Sequence, residues 1–265
     1  MIITKKLGQL EYLTAEGISV PHCFTTRFGG VSTGVLDSLN IAMHRGDAPG
    51  AVEENYRRLG AALGFDPSCL VLTRQTHSDI VRVVNEKDRA GLDHRAYPEC
   101  DALVTNTPGV GLVVFTADCT PILLHDPVTG AVGAAHAGWR GTVAGIAGKT
   151  VQVMVEKFGC DPANIRAAIG PNIAACCFET DQDVPDALRA AIGDAAEALI
   201  EKRQEKYHVD LKRANAHILR MAGVRHIELS DECTACQHKR FWSHRVTRGE
   251  RGSQGAIIIC GEGEV

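Results

Sequence analysis

One stretch of the chain, residues 115–141, constrains the fold more than any other. Its sequence, FTADCTPILLHDPVTGAVGAAHAGWRG, contains two apolar runs separated by a turn-forming segment, a pattern that predicts an antiparallel hairpin. Cys119 stands at the open end of the first strand and His136 at the open end of the second. If residues 126–129 form the turn, Cys119 and His136 face each other directly, with Cβ atoms about 4.5–5.5 Å apart.

Outside this hairpin, short apolar strands alternate with amphipathic helices. Apolar residues at helical spacing predict helices over 50–63, 142–158 and 210–223, and an alanine-rich helical region lies between 183 and 206. The strands occur mostly in hairpins with helices inserted between them. We therefore expect an α+β fold rather than a doubly wound sheet, with residues 1–265 forming a single domain.

The composition narrows the class of partner. A net charge of −4 without a basic run argues against nucleic acid as a ligand. The chain has neither the apolar core of a signal peptide nor an apolar run of membrane-spanning length, which argues against a membrane partner and predicts a cytoplasmic location. In that compartment the ten cysteines are expected to be free thiols. Small molecules are the expected ligands.

The Cys–His pair of the hairpin suggests a metal site. A thiolate and an imidazole are preferred ligands of zinc, and His77, at the polar end of a predicted strand, offers a third. Three protein ligands leave the fourth position of zinc open, as in catalytic sites. The same geometry also suits a cysteine hydrolase with Cys119 as nucleophile and His136 as base. The residues alone leave both interpretations open.

Two neighbours of the pair are further candidates. Arg140 precedes the predicted helix start at Thr142, where free N–H groups and partial positive charge could bind an anion such as phosphate. Pairing of Arg140 with a structural carboxylate is equally consistent with the sequence. Asp118 could orient a ligand, act as a base or cap a turn.

A second cysteine motif lies near the C-terminus. Cys233 and Cys236 form a Cys-x-x-Cys sequence that is followed by His238 and His244. A closed zinc site, a redox pair and a packed loop all remain open. The packed loop is favoured, because the spacing from cysteine to histidine is shorter than in zinc fingers and no βαβ context surrounds the pair.

Several motifs in one order carry a family resemblance: TTRFGGVSTG, SLNIAMHRGD, QTH, CDALVTNTPGVGLVVFTADCTPILL, AAHAGWRG, AIGPNIAACCFE and CTAC followed by FWSHR. The chain resembles the laccase-domain, or multicopper polyphenol oxidase, family. Its members are described as purine nucleoside phosphorylases and, in some bacteria, as peptidoglycan editing factors. The resemblance implies zinc held by His77, Cys119 and His136. It also implies two stacked mixed β-sheets flanked by helices in α/β/β/α layers, similar to cytotoxic necrotizing factor catalytic domains.

The activity implied by the resemblance is zinc-dependent phosphorolysis of adenosine, inosine, guanosine or methylthioadenosine to base and pentose 1-phosphate. Adenosine deamination is also reported of the family. Purine nucleosides and phosphate are thus the expected partners. The residues expected at the reacting centre are His77, Cys119, His136 and Asp118. The residues expected to bind substrate or anion are Arg27, Asn40 and Arg140.

Other functions remain alternatives. One is a Cys119-dependent hydrolase or amidase that edits a peptidoglycan precursor, another a polyphenol oxidase-type copper oxidoreductase, and a third a zinc-stabilised binding protein. The ligand set suits copper as well as zinc, so copper binding in vitro is expected, but none of the eleven histidines forms the His-x-His pairs of a true laccase. Two departures from the family pattern, His244 for an aromatic residue and Ser253 for an arginine, weaken the transfer of the family's substrate preference to this chain. The oligomeric state stays open.

Overall fold

The computed structural model describes residues 1–261, in which strands and helices are interleaved. The strands are β1 (Ile2–Leu7), β2 (Leu10–Ala15), β3 (His22–Thr25), β4 (Leu70–Leu72), β5 (Val81–Val83), β6 (Ala102–Thr105), β7 (Gly111–Thr116), β8 (Thr120–His125), β9 (Val132–Ala137), β10 (Arg166–Ile169), β11 (Glu179–Thr180), β12 (Ile200–Arg203), β13 (Lys206–Val209), β14 (His226–Leu229) and β15 (Gln254–Ile259). The helices are α1 (Pro49–Leu63), α2 (Trp139–Val143), α3 (Ile146–Phe158), α4 (Asp183–Ile192), α5 (Leu211–Met221) and α6 (His244–Thr247). Across these described positions, no helix combines the length and the apolar character that a membrane crossing requires.

The strands form two large mixed sheets and one small sheet. The first sheet has the order β1-β2-β3-β15-β7-β4 and is antiparallel except for the β4–β7 pair. The second has the order β14-β10-β8-β9-β6-β5, with parallel pairs β10–β14 and β5–β6. The third, β11-β13-β12, is antiparallel. The predicted α+β class is confirmed.

The two large sheets pack against each other. Leu103 and Leu123 of the second sheet belong to the same buried cluster as Phe24 and Val114 of the first. Contact is close at Gly170, where a Cβ would lie 2.2 Å from the Phe24 ring. Helix α1 adds apolar side chains to this cluster, while α3 and α5 cover the other face of the second sheet. The likeness to cytotoxic necrotizing factor catalytic domains stays a prediction.

The β8–β9 hairpin exists, but its predicted register is wrong by two residues. His136 pairs with Pro121 rather than with Cys119. The loop between the two strands takes up residues 126–131. Within it, the Asp126 carboxylate accepts a hydrogen bond from the Val128 N–H at 2.9 Å, and this bond widens the turn. A shift of two keeps side chains on the same face, so Cys119 becomes a diagonal neighbour of His136.

Two predicted helices are interrupted by glycine. The helix expected over 142–158 is divided into α2 and α3 at Gly145, which has a left-handed φ of 78°. The helical region expected over 183–206 is α-helical only as far as Ile192, because Gly193 has a φ of 59° that an α-helix cannot continue, and it goes on as a 3-10 helix over Gly193–Leu199. Its last residues form strand β12 instead. Helix α1 begins one residue before its predicted start and ends as predicted, at Gly64.

The chain passes from the first large sheet to the second between β4 and β5, and again between β7 and β8. His77 lies in the first of these crossings and Cys119 in the second. Both crossings bend sharply: His77 has a φ of 60° and Asp118 a φ of 90°, conformations that non-glycine residues rarely adopt. The crossings place both side chains at the end of β9 that carries His136.

Candidate metal centre

The structure brings the three predicted ligands together. One ligand atom from each of His77, Cys119 and His136 lies within 4.8 Å of the other two. Nε2 of His77 is 3.9 Å from Sγ of Cys119, and the two imidazole rings are nearly perpendicular with centroids 5.0 Å apart. A tetrahedral zinc ion would separate its sulfur and nitrogen ligands by about 3.6 Å. The trio can therefore close on one metal ion with small side-chain movements.

Asp101, immediately before β6, supports this centre and was missed by the sequence analysis. Its Oδ1 lies 2.8 Å from Nδ1 of His136, and the carboxylate is fully buried. The contact leaves Nε2 of His136 facing the other ligands, the arrangement in which a carboxylate orients a metal-binding histidine. The only sequence signal was an acidic residue directly before a strongly apolar strand.

The same carboxylate also fixes the segment that carries His77. It accepts hydrogen bonds from the backbone N–H groups of Thr76, His77 and Ser78 at 3.1, 3.1 and 2.8 Å, and from the Ser78 hydroxyl at 2.7 Å. Burial alone would raise the pKa of Asp101, but hydrogen bonds from His136 and Ser78 outweigh it and lower the pKa to about 2. Asp101 therefore stays ionised and holds both histidines.

Gly138 keeps the space between the ligands open. A Cβ at this position would lie 2.8 Å from Cδ2 of His77 and 3.3 Å from Sγ of Cys119. Its φ of −67° is accessible to any residue, so backbone conformation does not require glycine here. Glycine is required instead because a larger residue would fill the space beside the donor atoms. The donor set of two nitrogens and one sulfur suits zinc or copper.

Without a metal, the centre is a polarised thiol–imidazole pair. Burial opposes ionisation of Cys119, but the charge of His136 and hydrogen bonds from both histidines outweigh it and lower the thiol pKa to about 6. Burial likewise opposes protonation of His136, yet Cys119 and Asp101 raise its pKa to about 9. A thiolate, the form that binds metals and attacks electrophiles, is thus favoured at neutral pH.

The centre opens into a cavity of about 600 Å³, which includes some open solvent at its mouth. Besides the three ligands, its walls carry two arginines, Arg45 and Arg251, and two aromatic rings, His94 and Phe115. The aromatic rings are 5.7 Å apart between centroids. The trio, the two cations and the two rings offer partners for an anionic ligand beside a planar one.

Arg251 is held at the cavity wall and has a buried N–H donor that is not used within the described residues. One terminal nitrogen donates to Oγ of Ser253 at 3.1 Å, while Nε is buried and has no partner within residues 1–261. Burial, and then the charge of Arg45, lower its pKa to about 10. Two arginines that repel each other at one cavity are candidates for binding an anion. The sequence does not predict this pair, because Arg45 and Arg251 are remote along the chain.

Arg27 and Asn40, predicted to bind substrate or anion, do not line this cavity. The Arg27 guanidinium donates to the backbone oxygen of Asp37 at 2.7 and 3.0 Å and lies 3.9 Å from the Trp242 ring. Asn40 is fully buried, and its Oδ1 accepts the Ser253 N–H at 3.0 Å. Since Ser253 lines the cavity, Asn40 positions its wall from behind.

Arg140 and Asp118 also differ from their predicted surroundings. Arg140 lies inside the short helix α2, is exposed and stacks 4.3 Å from the Trp139 ring, away from the cavity lining. Asp118 is buried, and its two carboxylate oxygens accept hydrogen bonds from the Thr234 hydroxyl at 2.6 Å and the Arg245 N–H at 2.7 Å. Asp101, not Asp118, hydrogen-bonds to the ligand His136.

Comparisons with known proteins extend over nearly the whole chain. The sequence model of the family described as multi-copper polyphenol oxidoreductase laccase matches residues 21–261. A Deinococcus radiodurans protein named purine nucleoside phosphorylase is 43% identical over 249 residues, 94% of this chain and 92% of its own. A protein named adenosine deaminase RL5, from an unknown prokaryotic organism, is 37% identical over 247 residues, 91% of this chain and 93% of its own. The solved structure of YlmD from Geobacillus stearothermophilus superposes with a TM-score of 0.92 at 36% identity, covering 99% of this chain and 100% of that one.

Proposed function

This chain belongs to the multi-copper polyphenol oxidoreductase laccase family, and from that premise we propose that it cleaves purine nucleosides with phosphate at a zinc centre. The names of its relatives support nucleoside chemistry. The observation that carries the proposal is one cavity lined by the His77–Cys119–His136 trio and by two arginines. We further propose that residues 1–265 act as one domain, supported by the core that the two large sheets share.

Zinc is the metal we propose, held by His77, Cys119 and His136. When bound, it would supply Lewis acidity at a position open to the cavity. Asp101 holds His136 in the tautomer that presents Nε2. Gly138 leaves the space that the ion needs. Copper fits the same donors, and its binding in vitro stays a prediction.

Phosphate is placed by Arg45 and Arg251 in this proposal. The buried Nε of Arg251 lacks a partner, and a phosphate oxygen would satisfy it while neutralising the repulsion between the two arginines. Ser253 departs from the arginine that the family resemblance implies at this position, and Arg251, two residues earlier, brings a guanidinium to the same wall. Arg140, the anion site expected from the sequence, lies outside the cavity lining and is the less favoured candidate.

The purine base is placed against the rings of Phe115 and His94. These rings are tilted by 57° to each other and form one wall of the cavity. A purine stacked there presents its sugar towards the metal trio and the arginines. An oxygen of phosphate then bonds to C1′ of the sugar as the bond from C1′ to the base nitrogen breaks. The products are free base and pentose 1-phosphate.

The decisive experiment measures base release from inosine and adenosine with and without phosphate. We expect turnover that requires phosphate, and a fall of at least about a hundredfold in His77→Ala with loss of the metal. Arg251→Gln should raise the KM for phosphate about tenfold with zinc content unchanged, since a charge-assisted hydrogen bond is removed. Arg140→Gln is the matched control and should leave that KM unchanged.

Other outcomes identify the alternatives. Base release at equal rate without phosphate contradicts phosphorolysis. Turnover of a peptidoglycan precursor by metal-free protein, lost in Cys119→Ser, would instead show a cysteine hydrolase or amidase. Oxidation of phenols only by copper-loaded protein would identify the polyphenol oxidase alternative. Zinc binding without turnover of any of these substrates would indicate a zinc-stabilised binding protein.

Adenosine deamination is a second proposed activity. It is supported by the relative named adenosine deaminase RL5. Formation of inosine and ammonia from adenosine in phosphate-free buffer would reveal it, and His77→Ala should abolish it together with phosphorolysis. The cytoplasmic location and the absence of nucleic-acid and membrane partners stay predictions of the sequence.

A further inference from the structure

Four cysteines that the proposed reaction does not use converge at a second place. Cys176 and Cys177 follow β10, and Cys233 and Cys236 follow β14. Their four sulfurs all lie within 4.8 Å of one another. The Sγ atom of Cys236 is 3.5 Å from that of Cys176 and 3.4 Å from that of Cys177, and the two adjacent cysteines are 3.8 Å apart.

We propose that this four-cysteine cluster binds a structural zinc ion. Zinc–sulfur bonds of about 2.3 Å place the sulfurs of a tetrahedral site about 3.8 Å apart, close to the separations seen here. A disulfide would need sulfurs about 2.05 Å apart, and all four cysteines are free thiols. Four thiolates leave no open position, so this ion would be structural rather than catalytic.

The surroundings of Cys233 favour a thiolate ligand. The backbone N–H of Ala174 points at Sγ of Cys233 at 3.4 Å, a contact that stabilises negative charge on sulfur. The histidines that follow in sequence are not needed as ligands: Nδ1 of His238 faces the backbone oxygen of Ala235 at 3.3 Å, and His244 begins helix α6. The adjacent pair Cys176–Cys177, remote in sequence, takes their place.

The cluster is connected to the first centre through Thr234, which lies between the two cysteines of the Cys-x-x-Cys motif. Its hydroxyl donates to Asp118, the neighbour of Cys119, at 2.6 Å, and its N–H donates to the Asn172 backbone oxygen at 3.0 Å. A zinc ion that joins the two cysteine segments would therefore hold the loop against which the Cys119 bend is fixed. This inference does not depend on which reaction the first centre performs.

Metal content of the purified full-length protein tests the proposal. We expect about two zinc ions per chain in the wild type and about one in the double variant Cys176→Ser with Cys236→Ser. His77→Ala should also retain about one ion, the one in the cluster. Cys69→Ser is the control thiol, partly exposed and outside both clusters, and should retain both ions. A double variant that keeps both ions would overturn the proposal.

Cobalt titration decides the question even if the double variant does not fold. Co²⁺ added to metal-free His77→Ala protein under reducing conditions should bind with the strong thiolate-to-cobalt absorption of a four-sulfur tetrahedral site. Metal-free wild type should take up about two equivalents, one with that spectrum and one with the weaker spectrum of a single thiolate. Absence of the four-sulfur spectrum from both proteins contradicts the proposal.

Discussion

Oδ1 of Asp101 lies 2.8 Å from Nδ1 of His136, and both side chains are almost completely excluded from solvent. The carboxylate therefore decides which nitrogen of His136 is free for a metal. Through three backbone N–H groups it also fixes the bend that carries His77. Two of the three proposed ligands thus depend on one side chain that binds no metal itself.

Asp101→Asn should weaken zinc binding at the first centre by about 10- to 100-fold. An amide accepts fewer hydrogen bonds than a carboxylate, and its NH₂ group would donate to Nδ1 of His136 and favour the wrong tautomer. Competition with a chelator measures the zinc affinity. The exposed neighbour Asp79, changed to Asn, is the control and should bind zinc as the wild type does. Equal affinities in the two variants would contradict the orienting role.

Gly138→Ala should expel the first metal while leaving the fold intact. The added methyl group would lie 2.8 Å from the His77 ring, whereas the backbone angle suits alanine. We expect nucleoside turnover to fall at least about tenfold, with unfolding in denaturant little changed. Gly50→Ala, which adds a methyl where no atom lies within 4 Å, is the control for turnover and zinc content. Full zinc occupancy in Gly138→Ala would refute this account of the glycine.

Asp118→Asn separates a structural role from a role in the reaction. Asn tolerates the left-handed backbone of this position, but a neutral amide binds the Thr234 hydroxyl and Arg245 N–H more weakly. We expect a loss of about 1–3 kcal/mol in the free energy of unfolding, measured in urea, with zinc retained at the first centre. A loss of turnover at unchanged stability would instead support the predicted role of Asp118 as a base.

Arg240→Gln should destabilise the fold without changing the chemistry of the cavity. Arg240 donates to Glu11 at 2.5 Å and to Glu232 at 2.5 Å, so it ties the N-terminal hairpin to the segment that leads into Cys233. These charge-assisted bonds are partly buried, and we expect a loss of about 1–3 kcal/mol in urea unfolding. Arg203→Gln, which removes an exposed pair with Glu201, should cost less than about 0.5 kcal/mol. Equal effects would show that the Arg240 contacts are no stronger than a surface pair.

Local sequence patterns predict the end of a helix correctly where a glycine stands at the point at which the apolar periodicity stops. Helix α1 ends at Gly64 as expected, because that glycine adopts the left-handed conformation of a helix cap. The periodicity predicts a continuous helix through Gly145, but this glycine also adopts the left-handed conformation and interrupts the helix there. The β8–β9 register could not be derived, since it depends on how the Asp126 side chain shapes the loop. The spacing of apolar residues carries no information about a side-chain hydrogen bond of this kind.

The grouping of the three candidate ligands could be predicted from the sequence, but the residues that hold them in place could not. Cys119 and His136 are chemically distinctive and lie in one hairpin, which makes them recognisable together. Asp101, Arg45 and Arg251 are common residue types whose roles no spacing reveals, and only the fold brings Asp101 to His136 and the two arginines to one cavity. For the same reason, the sequence favours a packed loop for Cys233 and Cys236, since it offers only nearby histidines as partners while Cys176 and Cys177 are remote along the chain.

Two of the three proposed ligands, His77 and Cys119, lie where the chain leaves one large sheet for the other. A partly folded chain in which the two large sheets have not yet packed together cannot form the trio, because His136 lies in the second sheet. The proposed centre therefore exists only once the two large sheets have packed together, and ion uptake there would report that packing rather than the first collapse.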